Sequence, residues 1–277
     1  MTVRQLTIED RMQAEATWRE IFEDSMEFTG YYFQLRFHPE HSFGAFDGDR
    51  LIAMTLGRPT MIRVNGRNLA ALLLAGVSTR PEYRGNGLMH RLVSLQIAHA
   101  KDKGFSCCFL HPVSESLYTS LGFVNGTEAL IIRSDSARRH PPFDLRECVP
   151  DPDLLFVYHS MTDTHDGMEL RDEREMKTVF SDYATEECKI IAAYEKSKPI
   201  GYICYSPNGT VFELFALCAS VYEALIDEAA KDAGKELKAV VPADCGVSGD
   251  RVCNMQYVVF NDAFRLPLSN GFCVLGY

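Results

Sequence analysis

Apolar and polar positions along the first half of the chain fall into blocks whose period changes, and one block dominates. Residues 72–77, Leu-Leu-Leu-Ala-Gly-Val, are a continuous apolar run, the pattern of a strand buried on both faces. Arg80-Pro81 stops it, because proline donates no backbone hydrogen bond to a sheet interior. The turn Arg84-Gly85-Asn86-Gly87 follows, and the period then becomes helical. Leu88, Leu92 and Leu95 make one row with Met89, Val93 and Ile97 beside it, up to a stop at Gly104 with Lys101 and Lys103 in the last turn.

The flanking patterns read in the same way. Val3 to Leu6 predicts a short strand, and Thr7 followed by Glu9 and Asp10 predicts a capped helix through about Phe22. A second helix spans 26–37 and is broken by His38-Pro39. Strands at 43–46 and 51–56 flank the turn Asp47-Gly48-Asp49-Arg50. Another hairpin joins 61–64, through Asn65-Gly66, to the run from Leu69. Beyond the central helix come a buried strand at 105–110, a short helix at 114–120 ended by Gly122, and a strand at 129–133. The fold class this predicts is α/β with a mixed sheet.

Residues 135–152, with Arg138-Arg139-His140-Pro141-Pro142 and Pro150-Asp151-Pro152, read as a linker, which divides the chain into 1–134 and 153–277. A charged helix is expected over 169–183. The second half then repeats the first in outline: a strand, turn and strand over 190–204, a strand at 212–217, and a helix over 221–233. Only Cys218-Ala219-Ser220 joins that strand to that helix, with no glycine turn.

Composition narrows the classes. The 277 residues are 46% hydrophobic and 24% charged, which is ordinary for a globular protein. No apolar run is long enough to span a bilayer and no secretory segment opens the chain, so a cytoplasmic protein with no membrane role is expected. The net charge of −10 argues against nucleic acid as a partner and is compatible with a cationic one. Nine cysteines without a Cys-x-x-Cys pair predict reduced thiols and no metal site.

A buried strand, a glycine turn and a helix N-terminus together make an anion site, because the free amides of the first turn point out of the helix end. Gly85 and Gly87 admit a ligand close to the backbone, and Arg84 adds a fixed positive charge. A diphosphate suits this chemistry. Leu88-Met89 stand where a P-loop needs Lys-Ser or Lys-Thr, and His90 stands where a Rossmann turn needs its third glycine.

The order Val77-x-x-x-Pro81-x-x-Arg84-Gly85-x-Gly87 resembles the acetyl-CoA motif of the GNAT N-acetyltransferase superfamily, against the plainer alternative of a bare strand-to-helix turn. With Ser114-Glu115-Ser116-Leu117-Tyr118 after the fifth strand, and a second half that lacks the cradle, the likeness extends to the tandem-GNAT enhanced-intracellular-survival (Eis) type. That type pairs an active and a degenerate GNAT domain with a C-terminal sterol-carrier-like domain, for which the chain has no room. The resemblance implies acetyl-CoA as acetyl donor. The backbone of Val77, Ser78 and Thr79 would bind the pantetheine arm, and Arg84, Gly85, Asn86, Gly87, Leu88, Met89 and His90 would take the pyrophosphate. Ser114 and Glu115 would line the same groove, and Tyr118 would protonate the departing sulfur. Direct transfer to a primary amine is expected, on a polyamine-like or aminoglycoside-like cation or a lysine. Asp24 and Glu27, beside the aromatic run 28–33, are candidates to attract it. Glu82, His111 and the carboxylate of Tyr277 remain open as the general base. Rival readings are a catalytically silent acyl-CoA sensor or scaffold and a transferase of longer acyl groups. A homo-oligomer is compatible with all of these.

Overall fold

Short-range capping sets the first elements. After β1 (Thr2–Gln5), the Thr7 amide and hydroxyl donate to the Asp10 carboxylate at 2.8 and 3.0 Å, closing a 3-10 turn (Ile8–Asp10) that runs into α1 (Arg11–Phe22). Ser25 caps α2 (Met26–Leu35) by accepting from the Phe28 amide at 3.0 Å. The helix stops short of residue 37 because Arg36 already leaves helical torsions, with φ −123° and ψ 4°.

The structure, a computed structural model, describes residues 1–273, and these fall into two compact units. The first comprises Met1–Ile62, Asn68–Gly126 and Met255–Pro267; the second comprises Arg63–Arg67, Thr127–Asn254 and the chain from Leu268.

In the first unit β2 (Phe43–Asp47) pairs antiparallel with β3 (Arg50–Val64), and β4 (Arg67–Thr79) lies beside β3. The two strands expected at 51–56 and 61–64 are one: β3 runs unbroken through Gly57, Arg58 and Pro59. α3 (Leu88–Asp102) leads to β5 (Cys107–Leu110), which is parallel to β4, and the one-turn α4 (Ser116–Thr119) follows. Parallel and antiparallel pairs in one sheet, with helices packed on it, make the α/β mixed sheet that the patterns predict. Leu6, Trp18, Phe28, Tyr32, Phe33, Met54 and Leu56 form a core under α1 and α2. Leu72, Leu74, Val93, Leu110, Tyr118 and Phe123 form another under α3.

In the second unit β6 (Val124–Arg133) precedes β7 (Asp144–Cys148), α5 (Leu154–Thr164) and α6 (Glu173–Ala184). Then come β8 (Lys189–Glu195), β9 (Lys198–Tyr205), β10 (Val211–Ala216), α7 (Ala219–Ala233), β11 (Lys238–Pro242) and β12 (Asp250–Val259). β10, β9, β8 and β7 form an antiparallel sheet, and β11 pairs with β6. Ile190, Ala192 and Phe215 face α5 and α6, while Ile191, Ala193 and Leu214 face α7, so the unbroken apolar runs are buried on both faces. The second half of β12 belongs to the first unit, where Gln256 to Val259 pair with Leu110 to Cys107.

Three expectations need correction here. Residues 135–152 are not a bare linker, because 144–148 add β7 to the edge of a sheet. α6 begins at Glu173, where the Asp172 carboxylate accepts from the Glu175 amide at 2.8 Å, rather than at 169. Helix α5 and strands β11 and β12 had no counterpart in the sequence reading.

No helix among the described residues is long and apolar enough to cross a membrane, and no group of three or more His, Cys, Asp or Glu among them is placed to hold a metal ion.

A polar knot sits in the core of the second unit. Arg171 Nη1 meets Glu213 at 2.5 Å with both side chains fully buried, and the Tyr183 and Tyr202 hydroxyls each donate to the same carboxylate at 2.9 Å. Removing one charge strands the other away from water. Glu213→Gln should therefore lower unfolding free energy by about 3–5 kcal/mol. Arg171→Met/Glu213→Gln should cost less than the sum of its single changes, as read by urea denaturation.

At the first unit's edge Arg4 grips Asp10 with two hydrogen bonds, at 2.6 and 2.9 Å, and holds its carboxyl down at about 2. A depressed carboxyl stabilises the fold above the unfolded-state pKa of about 4, and that contribution is lost as pH falls toward 2. Arg4 is 42% exposed, so solvent screening keeps the gain near 1 kcal/mol. Asp10→Asn should be less stable than wild type by about that much at pH 7. The gap should close between about pH 5 and pH 2 in thermal melts.

Candidate active site

The site begins where two parallel strands part. β4 and β5 pair only at Ala71, Leu72 and Leu73 with Cys107, Cys108 and Phe109; β5 ends at Leu110, whereas β4 continues to Thr79. Residues 74–79 therefore present an edge with no β5 partner, and a strand edge is a template for any extended ligand carrying amides.

A bend sharpens the parting. Leu72, Leu74 and Val77 all pack under α3 while Ala75 packs on the α1 side, so the two-residue alternation slips by one at Gly76. Gly76 has φ +55°, and a Cβ there would lie 2.6 Å from the Trp18 ring. Only glycine satisfies both conditions. The sequence carries a signal for this, an isolated glycine inside a strand pattern.

Beyond the bend the chain is pinned at several points. Arg80, almost buried, donates through Nε to the Leu51 carbonyl at 2.9 Å and through Nη2 to the Thr17 hydroxyl at 3.2 Å, and its Nη1 is paired with Glu20. The Pro81–Tyr83 turn is tied to the β2–β3 hairpin by Tyr83 to Asp47 at 2.8 Å and by Arg50 to Glu82 at 3.0 Å. Leu88 is buried with Ile52, Ala53 and Leu92, which anchors the start of α3.

Between these anchors the loop is open. Gly85 and Gly87 have φ +78° and +71°, and a Cβ on either would touch nothing within 4 Å. Gly87 caps α3 with no side-chain bond, and the amides of residues 88–90 donate to no carbonyl among the described residues. Asn86 Nδ2 donates back to the Tyr83 carbonyl at 3.1 Å and fixes the loop's shape. Arg84 Nε donates to the Thr79 carbonyl at 3.1 Å, which steers the guanidinium along the loop. Exposed amides, a helix dipole of 15 residues and a cation converge on one point, the requirement for holding a diphosphate.

Val77, Met89 and Tyr118 meet in one apolar cluster with Leu74 and Leu110, so the strand end, the start of the helix and the tyrosine are brought together. Tyr118 lies edge-on to Phe123 at 5.8 Å, and burial pushes its phenol pKa up. The Ser78 and Thr79 hydroxyl oxygens are buried with no hydrogen-bond partner among the described residues. His90 is exposed on the first turn of α3.

Other expected residues are engaged elsewhere. Ser114 Oγ lies 3.1 Å from Ser116 Oγ, and the Glu115 carboxylate accepts from Asn125 at 2.7 Å. Asp24 accepts from the Trp18 indole N–H at 2.7 Å, and Glu27 is exposed in the first turn of α2. Glu82 is paired with Arg50, His111 is exposed just past β5, and Tyr277 lies outside the described residues. Cys107 and Cys108 are fully buried, and burial lifts the Cys107 thiol to about 12, so neither supplies a thiolate nucleophile. The residues that the sequence reading missed are Gly76, Trp18 and Arg80.

Comparison with solved structures shows the same fold. A GCN5-related N-acetyltransferase from Anabaena variabilis superposes with a TM-score of 0.70 at 14% identity, over 94% of this chain and 73% of that one. Eis1 from Mycobacterium abscessus gives 0.67 at 16%, over 93% and 73%. A Pyrococcus horikoshii protein gives 0.64 at 13%, over 99% and 94%. No curated protein matches the chain in sequence. Residues 2–125, which hold the bent strand, the glycine loop and Tyr118, match the family described as the acetyltransferase (GNAT) domain, and the chain therefore carries an acetyltransferase domain of the GNAT type.

Proposed function

We propose that the protein transfers an acetyl group from acetyl-CoA to a primary amine, directly and within a ternary complex. The observation that carries this is the continuous path from the glycine loop, along the unpaired edge of β4, to Tyr118. The diphosphate lies against the amides of residues 85–90 and beside Arg84. The pantetheine arm pairs with the free edge at Val77, Ser78 and Thr79, in the manner of an added strand. The thioester sulfur then falls near Tyr118.

Attack by a neutral amine on the thioester carbonyl forms a tetrahedral oxyanion, which main-chain amides at the bend stabilise. Collapse expels the coenzyme A thiolate, Tyr118 donates its phenolic proton to that sulfur, and the proton the nitrogen gives up in becoming an amide restores the phenol. Burial suits the tyrosine to this work, because a phenol raised above its usual value of about 10 stays protonated across the physiological range. The buried, thiol-form cysteines of β5 favour direct transfer over an acyl-cysteine relay.

The acceptor is a small cationic amine, polyamine-like or aminoglycoside-like, or a lysine side chain. The net charge of −10 supports this by attracting cations. The second unit is a degenerate GNAT-like domain in this reading. Its β8, β9, β10 and α7 repeat the element order β2, β3, β4 and α3, with two residues, Leu217 and Cys218, where the first unit has its glycine loop.

Tyr118→Phe should lower kcat by about 10²–10³, with the KM for acetyl-CoA nearly unchanged, in a thiol-release assay over a panel of amines. The acid must be protonated and its pKa is raised, so the alkaline limb of wild-type kcat should lie above about pH 10. That limb should vanish in the phenylalanine variant.

Gly85→Ala/Gly87→Ala adds no clash within the protein but puts side chains at two left-handed positions and in the ligand's path. It should weaken acetyl-CoA binding at least about tenfold by calorimetry while costing about 1–2 kcal/mol of stability per site. Undiminished affinity in a folded variant would remove the diphosphate from this loop.

A further inference from the structure

Asp24 and the chain's single tryptophan form a unit that faces the bend in β4. Trp18 is 6% exposed on the inner side of α1, packed against Phe22, Tyr32 and Phe33 at centroid distances of 5.0, 4.9 and 5.8 Å. Its Cζ3 and Cε3 atoms lie where a Cβ on Gly76 would be, at 2.6 and 2.7 Å from that position. The indole edge therefore rests on the glycine backbone, one residue before Val77. Its N–H donates to Asp24 Oδ2 at 2.7 Å. Asp24 stands in the three-residue connection between α1 and α2, where Glu23 takes a left-handed φ of +60° and its amide bonds back to the Arg19 carbonyl.

We infer that Asp24 is a positioning residue: it fixes the Trp18 indole against Gly76, and so holds the bend that presents the amides of Val77 to Thr79 to the thioester. The indole N–H is the ring's one polar group, and a buried donor without an acceptor is costly enough to turn the ring. A turned ring would vacate the space over Gly76 or press into it. Either outcome moves the strand edge, and small displacements at a reacting centre are expensive in rate. The role differs from that of a carboxylate that attracts the amine, for which the same residue is the obvious candidate by sequence. It rests on the acetyl-CoA reading above.

The single tryptophan makes the test direct, because all indole emission comes from this position. Asp24→Ala, Asp24→Asn and Trp18→Phe would be compared with wild type by emission spectrum, acetyl-CoA affinity from calorimetry, and separate KM values for acetyl-CoA and amine. Asp24→Ala should shift the ligand-free emission and raise the Kd and KM for acetyl-CoA about tenfold, with the KM for the amine unchanged. Asp24→Asn keeps an oxygen acceptor for the indole and should recover to within about threefold of wild type. Trp18→Phe should share the acetyl-CoA defect with Asp24 intact, which keeps the test alive if Asp24→Ala does not fold. A rise in the KM for the amine alone, equal in the alanine and asparagine variants, would make Asp24 an acceptor-binding carboxylate and overturn the inference. So would shifted emission with unchanged acetyl-CoA affinity, or no change in either. A wild-type protein that binds no acetyl-CoA would instead overturn the underlying reading, and that is visible before any variant is made.

Discussion

Two parallel strands that share only three paired residues set the geometry of the acetyltransferase domain. Backbone donors and acceptors must find partners, and a strand edge left open is unstable as a surface. Natural sheets close such an edge with another strand, a bulge or a charge. Here residues 74–79 of β4 are left beside an apolar cluster and a tyrosine, and the Ser78 and Thr79 hydroxyls are buried nearby without partners among the described residues. Unsatisfied polar groups at that density are rare in a finished core. In the proposed reading a bound ligand supplies partners there.

The anchors around the edge divide into two kinds. Apolar ones, Leu88 under the start of α3 and Trp18 over Gly76, set where the strand and helix sit. Polar ones, Arg80 on Leu51, Thr17 and Glu20 together with Tyr83 on Asp47, set how the connecting turn leaves the strand. Each polar anchor reaches into a segment far away in sequence. The loop between them makes few bonds of its own, so its amides stay available. In the proposed reading these rigid flanks preorganise the loop, since little ordering remains for a ligand to impose.

That division also explains what the sequence disclosed. The glycine turn, the proline stop and the helical period after Gly87 are local signals, each fixed by the torsions of one or two residues, and the structure has each where the pattern put it. Tyr118 lies within the short helix that the pattern expects after β5. The slip at Gly76, the burial of Arg80 and the tie from Asp24 to Trp18 depend on contacts across tens of residues, and periodicity is blind to those. β12 is the extreme case: Gln256 to Val259 complete a sheet begun by residues near 110, across a separation no local pattern can encode. β7 escapes the pattern for another reason. Five residues with alternating charge, set among prolines, have a linker's composition, and only pairing with β8 makes them an edge strand.

The second unit runs a similar succession, β8, β9, β10 and α7, to a different end. Glu213 lies within β10, so that strand carries an interior carboxylate, as β4 does not. Its oxygens accept from Arg171, Tyr183 and Tyr202, and its side chain has no solvent exposure. A base must be reachable by the proton it removes, and no amine can approach a carboxylate enclosed in this way. Tyrosines on α6 and β9 supply two of the three donors, so the polar groups of this unit are spent on holding its own core. The unit whose β10 is joined to α7 by only Leu217 and Cys218 is thus also the one whose central carboxylate is sealed. In the first unit β4 carries no charge in its interior, and its residues 74–79 have no β5 partner. One arrangement secures a fold, and in the proposed reading the other leaves a strand edge for a ligand to complete.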